Sequence, residues 1–192
     1  MSRILCRRGS AGRGAIREGF VIVISLKRIV PVAFFVTVLV LTCPAHALPR
    51  KGSPAPPFKV VTTAGQKVTG ASYRGYVLVM EFFATWCDGC RDSLPHLITL
   101  YRNYGKDGLR ILGLNLGIGG DGLQQVRQFA RENRINFPVS IADADMLLDY
   151  GVQPIPAIFV IDRKGVLVEK YVGYNPLIGE ALEKTVRTLL AR

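Results

Sequence analysis

The sequence predicts an α/β domain: a mixed central sheet, parallel at its centre and antiparallel at one edge, with helices on both faces. Three observations predict it. Val77–Ala84 (VLVMEFFA) and Leu109–Leu116 (LRILGLNL) are largely apolar runs of strand length, as expected for strands buried on both faces. Each is followed by a segment whose apolar residues recur at helical spacing. Two further strand-like runs flank Arg163-Lys164-Gly165, an antiparallel hairpin signal, and a last helical face closes the chain. This order of elements fits one mixed sheet with helices packed on it from both sides.

The elements follow in order. Leu48–Pro57 (LPRKGSPAPP) is Pro-rich and reads as a short extended lead-in. Phe58–Thr62 and Lys67–Thr69, with Ala64-Gly65 between them, form an N-terminal hairpin. After the strand at 77–84, a helix runs from about Cys90 to Tyr104. Leu94, Leu97, Ile98 and Tyr101 share one face of it, and Pro95 is an internal kink. Leu123–Asn133 repeats a helical face through Leu123, Val126 and Ala130. Phe137–Ile141 reads as a short strand and Met146–Tyr150 as a short helix. Ala157–Asp162 and Val166–Val172 are the arms of the second hairpin, and Leu177–Leu190 aligns Ile178, Leu182, Val186 and Leu189. No internal repeat is visible.

With 192 residues the chain has room for one well-cored domain and an appendage. Its formal charge of +11 invites a nucleic-acid reading, but the distribution argues against it. Residues 1–47 hold seven Lys/Arg and one acid, which leaves 18 basic and 13 acidic groups in the remainder. That mild excess forms no basic cluster interleaved with aromatics, so no nucleic-acid partner is expected.

Residues 1–47 read as a signal peptide. Lys27-Arg28 precede 13 uncharged residues, Ile29–Leu41, and Ala45-His46-Ala47 has the small-x-small form of a cleavage site. The apolar run is short of the roughly 20 residues that span a bilayer. Extending it back through Phe20–Leu26 would set Lys27 and Arg28 mid-membrane, at about 2.5–3.5 kcal/mol each. Cleavage is expected after Ala47, an uncleaved anchor beginning near Ile29 being the alternative; a lipid-modified Cys43 fits less well because Thr42 precedes it. Each route exports the domain, 58–192 with its lead-in 48–57, to an oxidising compartment such as a periplasm.

Export also simplifies the cysteines. Cys6 and Cys43 belong to the targeting segment, so the domain keeps only Cys87 and Cys90. A bridge closing a two-residue loop constrains little, which makes a purely stabilising role unlikely to account for the pair. At the junction of a buried strand and a helix, Cys87 meets the free N–H groups and positive dipole end of the helix, conditions that favour a thiolate. Cys90 lies one turn later and deeper, as a resolving thiol would. Zinc would need further ligands, and His96 is the only candidate outside the excised segment, so no metal site is expected. An inert thiol pair stays open, but the redox reading carries the most weight.

The stretch VLVMEFFATWCDGCRDSLP resembles the active-site strand, WCxxC motif and kinked helix of the thioredoxin superfamily, with Pro95 at the kink position. YGVQPIPAIFVID (150–162) resembles the segment that carries the cis-proline of that superfamily, which falls on Pro156. Residues 52–190 as a whole resemble the exported TlpA/ResA-type thiol–disulfide oxidoreductases, of redoxin (AhpC/TSA-like) kind. GSPAPPF, IDRKG and an extra strand–helix insertion around 109–141 add to the likeness.

The resemblance implies a thioredoxin fold and a protein-disulfide reductase that needs no cofactor. Its substrates would be protein thiols and disulfides, its electron donor would sit in the membrane, and cytochrome c maturation is one setting. Carried over by residue, Cys87 is the nucleophile and Cys90 the resolving thiol. Pro156 faces the disulfide, and Trp86 with the main chain of Ile155 contacts substrate. Glu81 interrupts an apolar strand where thioredoxins carry an aspartate, and it is expected to serve as base for Cys90; the bland alternative is an acid that reaches solvent. Ser93 stands where haem-pathway members often have an acid, which weakens that assignment.

The residues bear on two further possibilities. A binding module delivering metal or haem through the cysteines is the alternative function, opposed by the two-residue spacing and by the lack of a later histidine. Gly117–Gly122 (GIGGDG) imitates a phosphate loop but lacks both the P-loop lysine and the GxGxxG spacing, so Asp121 or Gly122 is expected to cap a helix. Asp88, beside Cys87, should oppose the helix field and favour the oxidised pair, which points to a reductant.

Overall fold

The computed structural model describes residues 48–192; the signal peptide expected at 1–47, its cleavage point and the alternative anchor lie outside them. Strand β3 (Val77–Phe83) is buried along its whole length, as its apolar run, interrupted only by Glu81, requires. It forms the centre of a five-stranded mixed sheet of order β5-β4-β3-β6-β7. On one side β4 (Leu109–Asn115) pairs parallel to β3, and β5 (Val139–Ile141) pairs parallel to β4. On the other side β6 (Ala157–Ile161) and β7 (Leu167–Val172) pair antiparallel. The N-terminal hairpin, β1 (Lys59–Val61) and β2 (Lys67–Thr69), is a separate two-stranded sheet.

Strand alternation divides the interior into two cores. Val77, Val79 and Phe83 pack against Leu94, Leu97 and Leu100 of α1 (Asp88–Tyr104) and Leu182, Val186 and Leu189 of α4 (Pro176–Leu190). Leu78, Met80 and Phe82 face the opposite core, with Phe58, Val60 and Val68 of the hairpin region and Met146 of α3 (Ala144–Asp149). Glu81 shares the parity of Val79 and Phe83, so it lies on the α1 and α4 side. Helix α2 (Leu123–Glu132) joins β4 to β5 and adds Val126 and Phe129 to that core. Among the described residues, no helix is long and apolar enough to cross a membrane.

Local chemistry moves several boundaries from their expected places. Helix α1 starts at Asp88 rather than Cys90 because Cys87 is its N-cap, with Sγ accepting the Cys90 N–H. Strand β5 begins at Val139, since Pro138 before it has no N–H to give to a ladder. Helix α3 begins at Ala144 because the Asp143 carboxylate accepts the Met146 N–H. An unanticipated 3₁₀ turn at Gly70–Tyr73 is held by reciprocal Thr69 and Ser72 hydrogen bonds. Residues 52–55 hydrogen-bond to Gly165 and Leu167, and the Tyr150 hydroxyl donates to Pro56 O.

Candidate active site

The chain leaves β3 at Phe83, turns through Ala84-Thr85-Trp86 and enters α1 at the cysteines. Cys87 and Cys90 are joined as a disulfide, their Cα atoms 5.3 Å apart. Cys87 is 8% exposed and Cys90 2%, so the first sulfur lies nearer the surface, beside a Trp86 that is half exposed. The Cys90 N–H donates to Cys87 Sγ at 3.2 Å, and the Asp88 carboxylate stands in the same first turn. This is the N-terminus of a 17-residue helix, where unpaired N–H groups and the helix dipole stabilise an anionic sulfur.

Pro156 follows a cis peptide bond from Ile155, and a second cis bond joins Gln153 to Pro154. The sequence singles out only the first of these. Pro156 is buried against the first turn of α1, its Cδ 3.4 Å from where a side chain on Gly89 would begin. Its carbonyl accepts the Gly173 N–H at 2.8 Å. Ile155 is half-buried at the same edge, and among the described residues its main-chain N–H and C=O have no hydrogen-bond partner.

A polar clamp holds the turn before Cys87. The buried Asp121 carboxylate accepts the Thr85 N–H at 2.7 Å, the Thr85 hydroxyl, and the Asn115 amide at 2.7 Å. From the other side the Arg91 guanidinium donates to Thr85 O at 3.0 and 2.8 Å. Trp86 Nε1 donates to Ile118 O, and Gly119, at φ +65°, lies under the indole, where a Cβ would overlap it. Asp121 is therefore not a helix cap. Gly122 is the N-cap of α2, without a side-chain bond, and Asp121 is drawn 36 residues back along the chain to Thr85.

Glu81 is 2% exposed and does not reach solvent. Burial pushes its carboxyl up to about 8, against the opposing effect of a hydrogen bond from Ser93 Oγ. Ser93, fully buried one turn beyond Cys90, also lies 2.9 Å from Cys90 O. Tyr174, in the turn before α4, is raised by burial and then by the negative charges of Glu81 and Asp92. His96 lies beside it with the rings 6.3 Å apart, and His96 Nε2 is buried without a hydrogen-bond partner among the described residues. Among those residues no three His, Cys, Asp or Glu side chains converge as a metal-binding group.

The fold thus gathers Cys87, Cys90, Trp86, Ile155 and Pro156 at one edge, with Glu81 beneath, reached through Ser93. The sequence gives no expectation for Thr85, Asn115 or Arg91 and offers Asp121 only as a candidate helix cap. Asn115 alone carried a signal, as a polar residue at the end of an apolar strand. The arrangement can perform thiol–disulfide exchange: a sulfur at a helix terminus on the less buried residue of the pair, a partner within bonding distance, and a buried carboxyl, linked through Ser93 to the Cys90 carbonyl, able to hold a proton near neutrality.

Comparison with known proteins agrees with this geometry. The family model described as the AhpC/TSA family matches residues 51–170. The chain is 32% identical over 124 residues to the thioredoxin-like protein YneN of Bacillus subtilis, covering 65% of this chain and 72% of that one. It is 36% identical over 115 residues to the thiol-disulfide oxidoreductase ResA of Geobacillus thermodenitrificans, covering 59% of this chain and 64% of the relative. A solved structure from Chlorobium tepidum, described as a thiol:disulfide interchange protein DsbE, superposes with a TM-score of 0.69. It is 29% identical, over 75% of this chain and 99% of that one.

Proposed function

The chain belongs to the AhpC/TSA family, and on that premise we propose that it is a thiol–disulfide oxidoreductase that reduces protein disulfides outside the cytoplasm. The observation that carries this reading is the asymmetry of the pair. Cys87 caps a helix N-terminus beside an exposed tryptophan, while Cys90 is sealed one turn below.

In the reduced protein the Cys87 thiolate attacks one sulfur of a substrate disulfide. The Cys87–substrate bond forms, the substrate S–S bond breaks, and its other sulfur leaves as a thiolate that is protonated by solvent. Glu81 then takes the Cys90 proton, and the Cys90 thiolate attacks Cys87 Sγ. The Cys87–Cys90 disulfide forms, and the second substrate sulfur departs and is protonated. Two electrons have passed to the substrate, so each turnover requires a dithiol donor, which we assign to the membrane. Trp86 offers substrate a flat apolar contact, and the unpaired Ile155 main chain offers it an extended hydrogen-bonding edge beside Pro156. Cytochrome c maturation is the narrower setting that the family resemblance implies, with Ser93 in place of the expected acid counting against it.

Cys87→Ser is expected to abolish dithiothreitol-coupled reduction of insulin disulfides while leaving the far-ultraviolet circular dichroism intact; surviving turnover would sink the assignment. A redox titration reads the direction. Asp88, exposed in the first turn of α1, opposes the helix field at Cys87, so the midpoint should lie nearer that of a reductant, about −270 mV, than that of a strong oxidant, about −120 mV.

A further inference from the structure

Ser93 has one hydroxyl proton and two acceptors within reach. Its Oγ contacts Glu81 Oε1 across the strand–helix interface and Cys90 O, 2.9 Å away, in its own helix. A serine can donate only one hydrogen bond at a time. When Glu81 is ionised, its carboxylate is the stronger acceptor and takes the proton. When Glu81 is protonated, it becomes a donor to Ser93 Oγ, and the serine proton turns to Cys90 O. In both states the Ser93 hydroxyl has an acceptor and Glu81 Oε1 keeps Ser93 as its partner.

Among the described residues, no other side chain donates a hydrogen bond to Glu81. Its neighbours in the sheet are Gly113 on β4 and Ile158 on β6, neither with a polar side chain. From α1 it meets Ser93, one turn beyond Cys90, with His96 further along the helix and Asp92 exposed. From the turn before α4 the Tyr174 phenol lies near enough that burial first, and then the Glu81 charge, disfavours its ionised form. Among the described residues no cation influences Glu81, and Ser93 is the one hydrogen-bond donor to it.

We propose that Ser93 is a positioning residue that switches its hydroxyl between Glu81 and the Cys90 carbonyl, and thereby sets the pH at which Glu81 accepts and returns the Cys90 proton. This rests on the reading of Glu81 as the base. It adds a coupling between the charge of Glu81 and the backbone of the turn that carries both cysteines.

The test uses the full oxidised protein, in which the cysteines do not titrate. Difference infrared spectra between pH 5 and 10 follow the carboxyl stretch, with Glu81→Gln identifying the band. Ser93→Ala is expected to raise the midpoint by roughly 1–2 pH units, the effect of removing a hydrogen bond to a buried carboxylate. Ser93→Thr, which keeps the hydroxyl, should restore it. A Ser93→Ala midpoint equal to the wild-type value overturns the proposal. The acidic limb of the insulin-reduction pH profile should move with the midpoint, and Ser93→Ala should cause no further movement in the Glu81→Gln background. If Glu81→Gln itself keeps the wild-type profile, the base assignment and this inference fall together. If it loses the limb while Ser93→Ala leaves the midpoint in place, only the role of Ser93 falls.

Discussion

Replacing Glu81 with glutamine should make the protein more stable in mild alkali, although it removes the one charged group in the central strand. Glu81 sits at about 8 in the fold against an ordinary value of 4.5. The folded state therefore holds its proton more tightly than the unfolded state does. Stability from this group is fully present below pH 4.5, falls as the unfolded chain ionises, and is lost once the pH passes about 8. A gap of about 3.5 units, at 1.36 kcal/mol per unit, amounts to on the order of 5 kcal/mol across that window. Glutamine is nearly isosteric, never ionises, and can donate to Ser93 through its amide. The assay is urea unfolding of the oxidised wild-type and Glu81→Gln proteins at half-unit steps from pH 4.5 to 9. Near pH 4.5 the two should agree closely. By pH 8.5 the variant should lead by several kcal/mol, with the difference growing steadily between. A gap that does not change with pH would refute the reasoning, because it would mean that Glu81 has the same proton affinity folded and unfolded.

Two further outcomes follow from the clamp before the cysteines. Asp121→Ala strands the Thr85 N–H, the Thr85 hydroxyl and the Asn115 amide. At about 1–3 kcal/mol for each unmet buried donor, and with partial relaxation, the loss should be on the order of 3 kcal/mol in urea unfolding; a change below about 0.5 kcal/mol, the size of an ordinary surface substitution, would show that the clamp is idle. Gly119→Ala places a Cβ at φ +65° and into the Trp86 indole, which should cost about 1–2 kcal/mol and displace the ring. Trp86 is the sole tryptophan, so its fluorescence emission reports the displacement directly, and an unshifted spectrum with unchanged stability would count against that contact.

Much of this molecule was legible before any coordinate. The runs at 77–84 and 109–116 could hardly be anything but buried strands, since alternation vanishes when both faces are covered. The Cys87–Cys90 spacing at the end of such a run placed a thiol at a helix start, and Glu81 stood out because a carboxylate in an apolar strand requires a reason. Boundaries shifted where one side chain tipped the balance: the cap at Cys87 lengthened α1 backwards, and Pro138 shortened β5. Of the two cap candidates, Asp121 and Gly122, the structure uses Gly122. An acid just ahead of a helix suits a cap, and nothing in the local sequence says that Thr85, 36 positions earlier, will take its carboxylate instead.

Periodicity, apolar runs and a two-residue cysteine spacing are properties of neighbours along the chain. The order of strands and helices and the capacity for thiol exchange could both be read in one dimension. Which donor meets Glu81 and what grips Thr85 depend on partners from separate segments. Glu81 and Ser93 are 12 residues apart, and Thr85 and Asp121 are 36 apart; each pair is brought within bonding distance only when β3, α1 and the β4–α2 turn close around a shared core. Buried polar groups must be satisfied, but burial does not dictate by whom. That choice belongs to the packing.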